Sequence, residues 1–197
     1  MRTSLQVFVI LALLAVALAA HAQPAPEQVD LHLDAQGGAT LKVPATWKEV
    51  RKDPKLVVRE QAPDPATKTP FYVLLASIEE GPPVGAPDSQ APGVPWLKVR
   101  DNIQEAASKN GRKVRLDVGD AYKGLQGFEG RRFHGELEGP VAAGAPEGTP
   151  PRKVAITLIA LVKDAKLLTI GLVSEPASAE AARDLVATIA QSARLGP

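Results

Sequence analysis

The amino-acid sequence predicts an α+β fold: an antiparallel sheet of about six to eight strands sandwiched by two main helices. Three observations lead to it. Short segments with apolar and polar residues in alternation recur along the chain, as strands with one covered face require. Two longer segments carry their apolar residues at helical spacing. Several strand segments are apolar on both alternating faces, which a strand tolerates only when both faces are covered, and the helices are the available cover.

Residues 1–22 read as a secretory signal peptide ahead of this domain. Arg2 precedes an uncharged apolar run from Leu5 to Ala20, and Ala20-His21-Ala22 supplies the small residues of a cleavage site. The following residues, Gln23-Pro24-Ala25-Pro26-Glu27, lack the basic flank of a stop-transfer segment, so cleavage after Ala22 is expected and no stable membrane span remains. The chain has no cysteine. It therefore has no attachment point for a lipid and no disulfides, and its stability must come from a hydrophobic core. Residues 23–28 form a flexible linker and 29–197 a single domain, in a periplasmic or secreted protein. With 23 basic and 22 acidic side chains before the signal is lost, the charge is balanced and gives no long-range attraction to nucleic acid.

Within the domain, Val29, Leu31 and Leu33 alternate with Asp30, His32 and Asp34 in a first strand. Gln36-Gly37-Gly38 turns the chain into a second strand, Ala39 to Val43, which Pro44 stops, with Trp47 just beyond. Lys55 to Glu60 is a third, and Phe71 to Ile78, apolar on both faces, is a central one. The period then changes. Trp96, Val99, Ile103 and Ala106 or Ala107 mark a helix over about 95–109, ended by Asn110-Gly111. Val114, Leu116 and Val118 alternate with Lys113, Arg115 and Asp117. After a glycine-rich bend (Gly124, Gly127, Gly130), Phe133, Gly135 and Leu137 alternate with Arg132, His134 and Glu136. Val154 to Val162 and Lys166 to Val173 are apolar runs joined closely enough to force a hairpin. Ala182, Leu185, Val186, Ile189 and Ala193 form the stripe of a closing helix, with Ser178 placed as its N-cap after Pro176. Most of the 18 prolines fall in three surface loops, 61–70, 81–95 and 139–151.

Leu41-Lys42-Val43-Pro44 leading to Trp47, a V-P-x-x-W pattern, followed by the helix at 96–109, the hairpin at Val154–Val173 and a last helix ending near Gln191-Ser192, resembles the superfamily of PsbP, Mog and exported bacterial relatives such as DcrB. The resemblance implies an α/β/α sandwich used for protein binding or assembly, with no family-wide catalytic residues to carry over. The loops at 81–95 and 139–151 are long for such a domain.

Catalytic and cofactor signatures are missing. Outside the signal only His32 and His134 remain, both on polar strand faces and without the paired spacing of a zinc site, although Asp30, Asp34 or Glu136 could join them. No G-x-S-x-G elbow occurs, and Ser77 lies inside an apolar strand. The carboxylate pairs Glu79-Glu80 and Glu136/Glu138 fit a solvated surface better than acid–base work. The glycines at 124–130 do not open a helix and so do not form a phosphate loop. No enzyme activity, metal or cofactor is expected.

Positive charge concentrates at Arg112, Lys113, Arg115, Lys123, Arg131, Arg132, Arg152 and Lys153. Such a face could dock an acidic partner, a headgroup or lipopolysaccharide phosphates, unless Asp117, Asp120, Glu129 and Glu136 neutralise it. Trp96 begins the helical stripe and should face the core, while Trp47 suits either the core or a partner surface. The expected function is a non-enzymatic exported module that engages another envelope protein through a sheet edge or the proline loops, with Trp47, Pro83, Pro87, Pro92, Trp96, Arg115 and Arg132 as its contact residues. A carrier of a small apolar ligand or lipid is the alternative, and an enzyme with an unrecognised site the third reading.

Overall fold

The computed structural model describes residues 27–33, 38–53, 55–63, 70–80, 95–109, 113–125, 127–138 and 153–196. The signal peptide, residues 23–26 of the linker and the greater part of the three proline loops, including Pro83, Pro87 and Pro92, lie outside the described residues, as do Asp34, the Gln36-Gly37 turn, Asn110-Gly111, Arg112 and Arg152.

The elements run in the order β1 (Gln28–Leu33), β2 (Ala39–Pro44), β3 (Lys48–Asp53), β4 (Leu56–Gln61), β5 (Tyr72–Glu80), α1 (Trp96–Lys109), β6 (Lys113–Tyr122), β7 (Glu129–Glu138), β8 (Lys153–Lys163), β9 (Lys166–Ser174), a 3₁₀ turn (Pro176–Ser178), α2 (Ala179–Gln191) and β10 (Arg194–Leu195). Seven strands form one sheet in the order β3-β4-β5-β9-β8-β7-β6, and β1, β2 and β10 form a second. Every pair of neighbouring strands among the described residues is antiparallel.

The single expected sheet is thus two. The alternating residues of β1 and β2 show that each buries one face, but they carry nothing that names the sheet they join. Two strands escaped the sequence reading for local reasons. β3, Lys48-Glu49-Val50-Arg51-Lys52-Asp53, is dominated by charge, as suits the edge position it holds. β10 is only two residues long and exists because α2 delivers it to the free side of β2. Ser178 occupies the N-cap of α2 but makes no side-chain cap; the chain enters this helix through the preceding 3₁₀ turn instead.

Alternate residues of the central strands divide between two buried clusters, so both faces of the seven-stranded sheet carry a core. One cluster joins Leu74, Ala76 and Ile78 of β5, Ile159 and Leu161 of β8, and Leu168, Ile170 and Leu172 of β9 to Ala182, Val186, Ile189 and Ala190 of α2 and to Leu31, Leu33, Leu41 and Val43 of the small sheet. The other joins Phe133 and Leu137 of β7, Leu158, Ala160 and Val162 of β8, and Leu167 and Val173 of β9 to Val99 of α1, with Trp96 and Ile103 packed alongside. The central position expected for Phe71–Ile78 follows: β5 lies beside β9, the middle strand.

Two local features hold the hairpin between β8 and β9 in register. Its connection is Asp164-Ala165, both with positive φ (49° and 58°), which matches the right-handed twist of the strands but strains a side chain at Ala165. Gly171 pairs with Leu158, and a Cβ there would overlap the Leu158 side chain, so the absence of a side chain makes room for Leu158 to pack across the strand. At the far end, the Lys42 amide donates to Ser192 Oγ at 2.8 Å and the Gly196 amide to the Gly38 carbonyl at 2.7 Å, which fastens the small sheet to the end of α2.

Candidate functional site

The V-P-x-x-W pattern has a structural explanation. The Trp47 amide donates to the Pro44 carbonyl at 3.2 Å, closing a tight turn that carries the indole into the core, where it is only 3% exposed. It stacks on Tyr72 with 6.1 Å between ring centroids and 25° between planes, and its Nε1–H donates to Gln61 Oε1 at 2.5 Å. Gln61 Nε2 in turn donates to the Pro70 carbonyl at 3.1 Å. Trp47 therefore offers no surface to a partner, and its place among the contact residues is corrected: a large aromatic with a satisfied N–H is a core residue here. Trp96 is half-buried as the first residue of α1, tilted against Phe133 at 6.3 Å, with the Arg131 guanidinium 5.8 Å from its ring centroid.

Arg115 and Arg132 are exposed, and strand register shows what surrounds them. Directly paired residues point to the same side of a sheet. Arg115 pairs with Glu136, Asp117 with His134, His134 with Thr157, and Arg132 with Ile159. Ile159 belongs to the cluster that α2 covers. The polar residues of β6 and β7 thus continue the same face beyond the edge of α2, as a field of mixed charge. Part of it is neutralised locally, since Lys153 Nζ lies 3.5 Å from Glu136 and 3.9 Å from Glu138.

Where this field meets α2 there is a small cleft of about 50 Å³, lined by Arg132, Phe133, His134, Thr157 and Ile159 from the sheet and by Arg183 and Val186 from the helix. The Arg132 guanidinium lies 5.5 Å from the Tyr122 ring centroid, and the Tyr122 hydroxyl donates to the Ala187 carbonyl of α2 at 3.1 Å. That chain of contacts ties one wall of the cleft to the other. Burial raises the pKa of Tyr122, and the positive charge of Arg132 opposes the rise. Among the described residues, neither Arg132 nor Arg183 has a carboxylate within ion-pairing distance. Arg183 was not recognisable as part of a site from the sequence. It lies far along the chain from Arg132 on the polar side of its helix, and only the docking of α2 brings the two together.

The remaining sequence candidates are dispersed. His32 is exposed on β1, with Nδ1 3.1 Å from Thr40 Oγ1, and belongs to the other sheet from His134. No group of three or more possible metal ligands occurs among the described residues. Glu79 and Glu80 are exposed at the end of β5, and Ser77 is half-buried within it. The bend between β6 and β7 places Gly127 at φ 79°, while Leu125 and Phe128 pack against the core. No described helix is long and apolar enough to cross a membrane.

The sequence matches no protein-family model and is not significantly similar to any curated protein. Solved structures are similar in three dimensions. Cyanobacterial PsbP (CyanoP) from Synechocystis sp. PCC 6803 aligns with a TM-score of 0.51 at 15% identity, over 88% of this chain and 95% of that one. The Saccharomyces cerevisiae Ran-binding protein Mog1p aligns with a TM-score of 0.53 at 12% identity, over 87% and 96%. LpqN of Mycobacterium tuberculosis aligns at 0.44 and 16% identity, over 87% and 91%. At such identities the likeness concerns the fold alone. The chain has the PsbP/Mog-like fold that its V-P-x-x-W turn, mid-chain helix, hairpin and closing helix resemble in sequence.

Proposed function

We propose that this chain is an exported, non-enzymatic binding or assembly module of the cell envelope, built as an α/β/α sandwich, that engages another envelope protein through the open face of β6 and β7. The observation that carries the reading is the polar field of Arg115, Asp117, Arg132, His134 and Glu136, which remains exposed beside the part of the sheet that α2 covers. Mixed charge on a rigid strand pair selects a partner by complementarity and register more than by area. The fold supports the reading in one further way: Mog1p is named as a Ran-binding protein, so this architecture serves protein recognition elsewhere. Export rests on the features of residues 1–22.

Two measurements test this. N-terminal sequencing of the exported protein should begin at Gln23; a start at Met1 overturns the compartment. A tagged chain should capture a defined protein from envelope extract, and the double variant Arg115→Glu/Arg132→Glu, with unchanged thermal unfolding, should lose it. Equal capture by both overturns the assigned face.

A carrier of an apolar ligand finds less support in this cleft. At about 50 Å³ it falls well short of the few hundred Å³ that a drug-sized or lipid ligand fills.

A further inference from the structure

We propose that the cleft between α2 and strands β7 and β8 is a binding site for a phosphate group, with Arg132 and Arg183 as its two arms and Thr157 at its base. Four features of the cleft converge on that ligand.

The first is charge without a partner. Two guanidinium groups, one from the sheet and one from the helix, line the cleft, and neither is within ion-pairing distance of a carboxylate among the described residues. Asp117 lies across from His134, and Glu180 and Asp184 lie near Arg183 along α2, but none of the three lines the cleft. Arginine's planar fork of donors matches the oxygens of a phosphate, and two such forks suit a dianion.

The second is the nature of the other polar groups. Thr157 is a buried residue, 6% exposed, whose hydroxyl can donate to an anion, and the His134 ring contributes a further N–H. No acidic side chain lines the cleft.

The third is size. A water needs about 10–15 Å³ of such volume, so about 50 Å³ corresponds to a few water-sized positions, comparable to one tetrahedral oxyanion and too small for a sugar or an aromatic ring.

The fourth is the floor. Ile159 and Val186 are buried, so one side of the cleft is low in dielectric and strengthens attraction between fixed cations and an entering anion. Arg132 is already held by the Tyr122 ring, which reduces the freedom lost on binding. The site requires no protein partner, so it stands if the proposed protein contact fails.

The same phosphate chemistry could come from a soluble phosphorylated molecule or from a lipid headgroup, and the test separates these sources. Amide NMR shifts of the purified full-length protein are followed as inorganic phosphate is added at pH 7 and low ionic strength. Saturable shifts confined to residues 132–134, 157 and 183–186 are expected. Arg132→Gln and Arg183→Gln should each weaken binding about tenfold or more, as removal of a charge-assisted arm does, while Lys153→Gln, on β8 outside the cleft, should leave it unchanged. Arg132 and Arg183 are both exposed, so the variants should fold, which thermal unfolding checks. Acetate should bind more weakly than phosphate. Co-sedimentation with phosphatidylcholine vesicles containing phosphatidic acid then assigns the source: capture that inorganic phosphate competes away supports a headgroup, and its absence alongside phosphate binding supports a soluble ligand. Unsaturable shifts, equal losses in all three variants, or a preference for acetate would each overturn the proposal.

Discussion

Removing the Ile189 side chain beyond Cβ should lower stability by about 3–4 kcal/mol. Ile189 is 2% exposed in the cluster that joins α2 to the seven-stranded sheet and to β1 and β2. Ile189→Ala deletes three carbons, which at about 0.8 kcal/mol each accounts for roughly 2.4 kcal/mol of lost transfer free energy. The site cannot collapse fully, because strands hold it on one side and the helix backbone on the other. A residual cavity of about 40 Å³ at about 24 cal/mol per Å³ adds about 1 kcal/mol. In a domain of this size, about 2–4 °C of Tm is lost per kcal/mol, so thermal unfolding should fall by about 6–16 °C. Urea unfolding should show a lower midpoint at unchanged m-value. The comparison variants make the reasoning refutable. Leu185, half-buried at the cluster margin, should cost only about 1–2 kcal/mol as Ala. Arg183→Ala, at an exposed position, should change stability by at most about 0.5 kcal/mol. Equal midpoint shifts in Ile189→Ala and Arg183→Ala would show that α2 is not held by this stripe.

Three further outcomes are expected. Gly135→Ala should destabilise by at least about 2 kcal/mol in urea titration, because a Cβ there runs into the Arg115 carbonyl of the paired strand and no rotamer change relieves a backbone clash; a shift below about 0.5 kcal/mol would refute the close approach. Ala165→Gly should stabilise by about 0.5–1 kcal/mol and raise Tm by a few degrees, since it relieves a side chain held at φ 58° in the hairpin turn; a lower Tm would refute the strain. Stability should also decline above about pH 10: burial raises the pKa of Tyr72 and Tyr122 in the folded state, so the unfolded chain loses these protons first and folding is favoured fully only below the unfolded value. Tyr122→Phe should remove part of that alkaline decline when urea midpoints at pH 8 and pH 11 are compared, and an undiminished decline would refute the assignment.

The element types and most of their bounds were legible in the sequence because they depend on local periodicity. The stripe from Ala182 to Ala193 must bury one side of a helix, and Phe71–Ile78 must be covered on both faces, whatever surrounds them. The hairpin of β8 and β9 follows from two apolar runs that are too close together to do otherwise. What local pattern cannot carry is the identity of the neighbour. Alternation in β1 and β2 prescribes a buried face but not the sheet that β10 completes. β3 holds its place by backbone pairing with β4, which its charged side chains do not advertise. Trp47 was ambiguous for the same reason: a tryptophan beside a proline fits a surface or a core equally well until a turn and a partner ring decide. Arg115 and Arg132 were visible as surface charge through strand alternation alone. Arg183 was not, because a cleft is a relation between elements distant in sequence. Chain periodicity determined which faces this protein buries, and only the docking of α2 on the sheet decided which polar residues meet at the edge of what is buried.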